Sequence, residues 1–436
     1  MYSPETYKMR FVDKKIEEYM TIAKAIYISG PKWVGKTTSA ERYCIEKNGS
    51  KVCFDDSENG YEVKSLAKID PALVLEGPLP RLIDEWQECP AIWDKIRTNA
   101  DNRTGLGLYA LSGSFVDYDK YEHSGAGRIE DVKMDSMTLF ETGDSSGSIS
   151  LSNLFDLSKN NKKFAPISTG TVSLSDLIRY MVRGGWPGCM NLTADQASLL
   201  TKDYLSKVDK DVLELLNKRS KRNTEKMVAT LEALAEFDNS YVLYSNILTA
   251  INNSLEVSIT KNTLYDYLDA FEKLQIIVDQ KPLIPKIEQS RNVFKSAKHR
   301  FTDSSLICAA LNISRAALLE DSKLRVKLFD SLVFHDLRVY TETVNNGEIY
   351  HYADNYGLTI DNIIIDETKK LGAFMTVLDT SEKAMNLAAE KLLRFKTTYS
   401  GTAYEPVCMG IISGLSNAAY QREDGIFVVP LTALKP

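Results

Sequence analysis

A lysine beside a threonine, framed by two glycines and preceded by an apolar run, is the densest concentration of chemistry in this sequence. Tyr27-Ile28-Ser29-Gly30-Pro31-Lys32-Trp33-Val34-Gly35-Lys36-Thr37-Thr38 fits G-x-x-x-x-G-K-[ST]. Such a loop cradles phosphates with its backbone N–H groups, helped by the positive end of the helix that follows. Gly30 and Gly35 permit backbone angles and a close approach that a side chain blocks. Gly30, Pro31, Lys32, Trp33, Val34, Gly35, Lys36, Thr37 and Thr38 are therefore the expected nucleotide-binding segment. Within it Lys36 would reach the outer phosphates, and Thr37 would offer its hydroxyl to magnesium. A chance glycine turn is the alternative. The strand-like Ala25 to Ile28 before the loop and the helix-forming Ser39 to Lys47 after it argue against that.

A second constellation follows about 50 residues later, a spacing that strengthens an otherwise weak signal. Arg81-Leu82-Ile83-Asp84-Glu85-Trp86-Gln87 reads as a short apolar strand ending in two carboxylates. Asp84 would hold magnesium, mostly through water, and Glu85 would orient and polarise an attacking water. Adjacent strand residues point to opposite faces, so both acids can serve one site only where the strand ends and the backbone turns. An exposed strand end is the plainer reading. The run Leu106 to Leu111 predicts another strand, closing in Ser112-Gly113-Ser114. A polar residue there can sense the outermost phosphate, which makes Ser112 the first candidate and Ser114 the second, against an ordinary strand-to-loop turn. Arg128, after Gly125-Ala126-Gly127, could stabilise charge on a transferred phosphoryl group in its own subunit or a neighbour's. A lone arginine is more often a solvated surface residue. The catalytic set expected is thus Glu85, Ser112 and Arg128, and the metal set is Thr37 and Asp84.

Taken together, Gly30 to Thr38, Leu82 to Gln87, Leu111 to Ser114 and Ala126-Gly127-Arg128 resemble the prokaryotic AAA-like ATPases that carry a C-terminal domain of unknown function. Leu139-Phe140-Glu141-Thr142-Gly143, Gly184-Gly185-Trp186-Pro187 and Arg422-Glu423-Asp424-Gly425-Ile426-Phe427-Val428-Val429-Pro430 extend the resemblance over nearly the whole chain. It implies an α/β fold: a P-loop ATPase core with a parallel sheet, a helical lid, a winged-helix segment and a nuclease-like C-terminal domain. The cofactors implied are ATP and Mg2+. The expected boundaries are 1–173 for the core, 174–223 for the lid, 224–311 for the winged-helix-like part and 312–436 for the nuclease-like part.

Composition frames these elements. At 436 residues, two or three domains are expected. The chain is 44% hydrophobic and 26% charged, as soluble globular proteins are. A net charge of −6 supplies no overall attraction to nucleic acid. Cys44, Cys53, Cys89, Cys189, Cys308 and Cys408 form no C-x-x-C pair, which predicts free thiols in a reducing cytosol. His123, His299, His335 and His351 show no metal-ligand spacing in sequence. No apolar run approaches the roughly 20 residues that span a bilayer, so no membrane contact and a cytoplasmic location are expected.

Along the chain, residues 144–173 are rich in Ser, Gly and Asn and predict a loop or hairpin insertion. Gly184-Gly185-Trp186-Pro187 predicts a rigid turn in which the indole packs. Lys218-Arg219-Ser220-Lys221-Arg222 could touch nucleic-acid phosphates, although a solvated helix end is commoner. Asn217-Lys218-Arg219-Ser220 lacks the final acid of the guanine-reading N-K-x-D. From Thr224 the pattern is three helices and a hairpin, whose third helix carries mixed charge in Lys261, Asp266, Asp269, Glu272 and Lys273. A protein-contact role is favoured there over DNA reading.

The C-terminal part alternates strands with a helix from Ser381 to Thr397. Relatives resemble restriction-type nucleases, in which an aspartate on one strand and E-x-K on the next gather magnesium. Asp361 takes the first place, but Met375 and Val377 stand at the other two and cannot bind a hard cation. Nuclease activity is expected to be lost. A literal E-x-K, Glu367-Thr368-Lys369, falls where a connecting turn is predicted. Three functions remain in order: an ATPase that drives its C-terminal modules, an ATP-bound switch with little turnover, and an ATP-regulated nuclease. ATP is the one partner implied. A partner protein, nucleic acid and self-association all stay open.

Overall fold

The computed structural model describes residues 2–56, 59–113, 126–159, 164–216, 221–256, 258–286 and 292–436. The chain divides into two compact units, Met1–Ser136 and Met137–Pro436. Ser114, Gly125, His123 and the basic stretch Lys218 to Ser220 lie outside the described residues.

Short apolar segments build the first unit around β1 (Ala25–Ser29), β2 (Ser50–Cys53), β3 (Arg81–Asp84), β4 (Tyr109–Ser112) and β5 (Ile129–Lys133). They form one sheet in the order β2-β3-β4-β1-β5, and every pairing is parallel. Parallel strands buried on both faces read as continuous apolar runs, and all five residues of β1 are buried. On one face Trp86 stacks on Trp93 at 5.1 Å between ring centroids, with Tyr27 edge-on to both. The topology matters most for one reason. Strand β4 lies between β1 and β3, so the ends of all three strands lie side by side.

The second unit holds β6 (Ile149–Ser150), β7 (Ile167–Ser168), β8 (Ile277–Pro282), β9 (Lys298–Phe301), β10 (Glu348–Ala353), β11 (Thr359–Ile365), β12 (Leu371–Val377), β13 (Cys408–Ser413), β14 (Ala418–Gln421), β15 (Phe427–Pro430) and β16 (Leu434–Lys435). Nine of them form a mixed sheet in the order β7-β14-β15-β13-β12-β11-β10-β8-β9, while β16 pairs with β6. The helix Glu382–Tyr399 lays Leu392, Phe395 and Tyr399 on this sheet, where Tyr352 meets both rings.

Two expected boundaries move. The described residues of 144–173 are not a simple loop and belong to the second unit: β6 pairs with β16, β7 pairs with β14, and the helix Leu151–Lys159 buries Leu151 and Leu154. Their polar composition concealed a few well-spaced apolar anchors. The helices Lys221–Glu236, Tyr244–Ser254 and Lys261–Lys273 do precede an antiparallel β8–β9 hairpin. However, β8 also pairs in parallel with β10, so the sheet runs through the expected boundary at 311.

Trp186 is fully buried and donates from Nε1 to Ser305 Oγ at 2.9 Å, consistent with a packing role. Among the described residues no helix is long and apolar enough to cross a membrane.

Candidate functional site

The glycine-framed loop leaves the end of β1 and enters the helix Lys36–Glu46. Gly35 caps that helix in the left-handed region, at φ 100°, where a side chain is strained. Gly30 is needed for a different reason. A Cβ there would lie 2.2 Å from the carbonyl oxygen of Met134, just beyond β5. Pro31 to Val34 form the loop's outer arc, with Lys32 and Trp33 exposed and Val34 buried. Thr38 follows in the helix's first turn, half-buried.

Lys36 is 8% exposed, and its Nζ donates to Gly30 O and Pro31 O, both at 2.8 Å. Burial pushes its ammonium down to about 8, opposed chiefly by the nearby negative charge of Glu85. Thr37 Oγ1 donates to Asp84 Oδ1 at 2.7 Å, and Ser112 Oγ donates to the same oxygen at 2.5 Å. The register explains this convergence: Asp84 pairs with Ser112 across β3 and β4, and Ile28 pairs with Ser112 across β1 and β4. Asp84 Oδ2 also receives Cys53 Sγ at 3.5 Å and lies 4.0 Å from Lys51 Nζ.

Glu85 follows the last residue of β3 with φ 52° and ψ 40°. This left-handed conformation is uncommon for a non-glycine residue and tends to occur at functional sites. It breaks the strand's alternation, as service of one site by two adjacent acids requires. Gln87 donates from Nε2 to Glu85 Oε2.

Arg128 is not brought to these groups within the chain. Its backbone carbonyl accepts from Ala25 N at the start of β1, whereas the loop leaves the other end. Four strand rises separate the two, roughly 13 Å. Its guanidinium pairs with Asp101 at 2.8 Å and is 41% exposed. Sequence order placed it after β4 but not at which edge of the sheet.

Arg10 escaped the sequence reading. Although only 7% exposed, it donates to Val34 O at 2.8 Å and Asp135 O at 2.7 Å, tying the loop to the segment beyond β5. Its signal was a charge embedded in Met9-Arg10-Phe11-Val12. Gln87 was equally unmarked as a partner of Glu85.

The donor set fits a nucleotide and magnesium. It offers an ammonium, a hydroxyl and a buried carboxylate, all suited to phosphate or a hard cation.

In the second unit, Asp361 Oδ2 accepts from Thr376 N at 2.9 Å. It borders a cavity of about 470 Å3 that Asp330, Met375, Val377 and Lys391 also line. Burial raises the Asp361 carboxyl above its ordinary range, and Asp330 adds to the rise. Met375 and Val377 are buried in the sheet's apolar core. Glu367-Thr368-Lys369 lies in the turn between β11 and β12, with Lys369 at φ 63° and 78% exposed.

Comparison with known proteins gives two family matches and several solved structures of low similarity. Residues 23–143 match the family described as an AAA domain, and residues 174–317 match a domain of unknown function, DUF8612. A Walker-type ATPase of Pyrococcus abyssi is similar in structure at 16% identity, with a TM-score of 0.42, covering 70% of this chain and 97% of its own. The Thermotoga maritima RuvB Holliday junction branch migration motor is similar at 12% identity, with a TM-score of 0.27, covering 61% and 88%. The replication initiator DnaA, bound to AMPPCP and single-stranded DNA, is similar at 12% identity, with a TM-score of 0.28, covering 62% and 91%. No curated protein sequence is similar enough to this chain to count as a match.

Proposed function

We propose that this chain binds ATP with magnesium at the loop Gly30–Thr38 and hydrolyses it, coupling turnover to conformational change in residues 137–436. The observation that carries the reading is the meeting of Thr37, Asp84 and Ser112 at a single carboxylate oxygen beside a buried lysine. Lys36 would exchange its two carbonyl partners for the outer phosphates. Thr37 and Asp84 would hold the magnesium ion, Asp84 mostly through water. Magnesium, when bound, neutralises charge on the terminal phosphates. Ser112 would orient Asp84 and register the outermost phosphate. Glu85 would accept a hydrogen bond from the attacking water and polarise it.

A second reading rests on the hydrogen bond from Gln87 to Glu85, which engages the proposed base. The protein would then be an ATP-bound switch with little turnover, read by a partner protein or a nucleic acid. Glu85→Gln separates the two readings. Under the first, steady-state hydrolysis falls about 10²- to 10⁴-fold while ATP affinity persists. Under the second, the basal rate is already low and barely changes. The assay is run with and without DNA or RNA on a sample of defined size, which also reports self-association and nucleic-acid stimulation.

The apolar Met375 and Val377 beside Asp361 support loss of nuclease chemistry in the second unit. A magnesium-dependent cut abolished by Asp361→Ala would overturn that part.

A further inference from the structure

Three side chains from separate elements of the second unit converge outside everything described so far. Glu272 comes from the helix Lys261–Lys273, Asp279 from β8 and His299 from β9. One ligand atom from each lies within 4.8 Å of the other two. The hairpin register is responsible for half of this geometry, because Asp279 and His299 sit directly opposite each other. His299 Nδ1 is 2.6 Å from Asp279 Oδ1, and the Tyr244 ring packs against the imidazole at 5.3 Å.

The charge on this group is unbalanced. Among the described residues the ion pair of Asp279 is with His299, and Lys273, next to Glu272 in the chain, reaches Asp269 at 3.1 Å. Two carboxylates brought together without a cation repel each other. A divalent ion would remove that repulsion, and an imidazole beside two carboxylates selects its kind. Hard ions such as magnesium and calcium take oxygen ligands, whereas imidazole favours zinc and its neighbours. Three protein ligands would leave one position of a tetrahedron to water.

We propose that Glu272, Asp279 and His299 form a zinc site that ties the helix Lys261–Lys273 to the β8–β9 hairpin. The ion would hold together three elements that no disulfide joins, since all six cysteines are free. The site is separate from the phosphate loop and does not depend on the ATPase reading.

The test uses full-length protein stripped with a chelator and titrated calorimetrically with zinc chloride in excess magnesium. One equivalent of zinc should bind and raise the melting temperature. Glu272→Gln changes an exposed helix position and should weaken that equivalent about tenfold or more, since loss of even a supporting group costs that much. His299→Ala should abolish it, with circular dichroism checking the fold of both variants. Cobalt(II) in place of zinc should give visible ligand-field bands and no sulfur-to-metal charge transfer. Zinc uptake unchanged in Glu272→Gln, a thiolate charge-transfer band, or no zinc uptake by the wild type would each overturn the proposal.

Discussion

At the scale of single residues, the site is a set of partners that ATP would rearrange. Lys36 rests on two loop carbonyls and, among the described residues, has no acidic side chain in hydrogen-bond contact, so its charge is available to phosphate. Lys36→Ala should weaken ATP binding roughly 10- to 100-fold, the equivalent of one charged hydrogen bond, measured by titration with a fluorescent ATP analogue. Unaltered affinity would remove the loop from the site. Arg128→Ala should leave ATP affinity unchanged, because the guanidinium sits with Asp101 at the far edge of the sheet; a clear loss in the same titration would contradict that placement. These residues also mark the limits of reading the sequence. Lys36, Thr37, Asp84 and Ser112 were legible as neighbours because each ends a strand or follows one in a short motif. Arg128 was not, since a motif gives distance along the chain and not which end of a strand it adjoins. Arg10 was hidden because its partners are backbone carbonyls, which carry no residue type.

At the scale of elements, inserting β4 between β1 and β3 turns three strand ends into one site. The parallel core was legible from its apolar runs. The C-terminal alternation was as well: the strands Glu348–Ala353, Thr359–Ile365 and Leu371–Val377 precede the helix Glu382–Tyr399, expected from Ser381 to Thr397. What was not legible was pairing between distant segments, such as β7 with β14, because two-residue strands carry almost no pattern. One pairing strand also carries a pH signature. His351 on β10 is fully buried, donates from Nε2 toward Ser296 O, and is pushed down to about 3 by burial and then by Lys298. The unfolded chain protonates this imidazole near pH 6.5, but the folded chain resists until about pH 3. Its contribution is therefore complete above pH 6.5 and lost as pH falls toward 3. Between pH 7 and 5 the wild type should lose about 2 kcal/mol of stability that His351→Phe does not lose. Urea melts of both proteins at the two pH values would show it, and parallel losses would refute it.

At the scale of the molecule, the ATPase reading requires that the second unit respond to nucleotide bound by the first. Hydrogen exchange with a slowly hydrolysed ATP analogue and magnesium should slow exchange around Gly30–Thr38 and also change it within residues 137–436. Protection confined to residues 1–136 would end the coupling proposal and leave an ATP-binding module beside an indifferent neighbour. The pairing of β16 with β6 has a further consequence. Ser145 Oγ donates to Leu434 O, 289 residues downstream, and Leu434 is fully buried. During synthesis, the segment around Ile149 must wait for that partner. At about 5–20 residues per second the delay is roughly a quarter of a minute to one minute. For that interval the nascent chain carries the segment around Ile149 without the strand that completes its pairing.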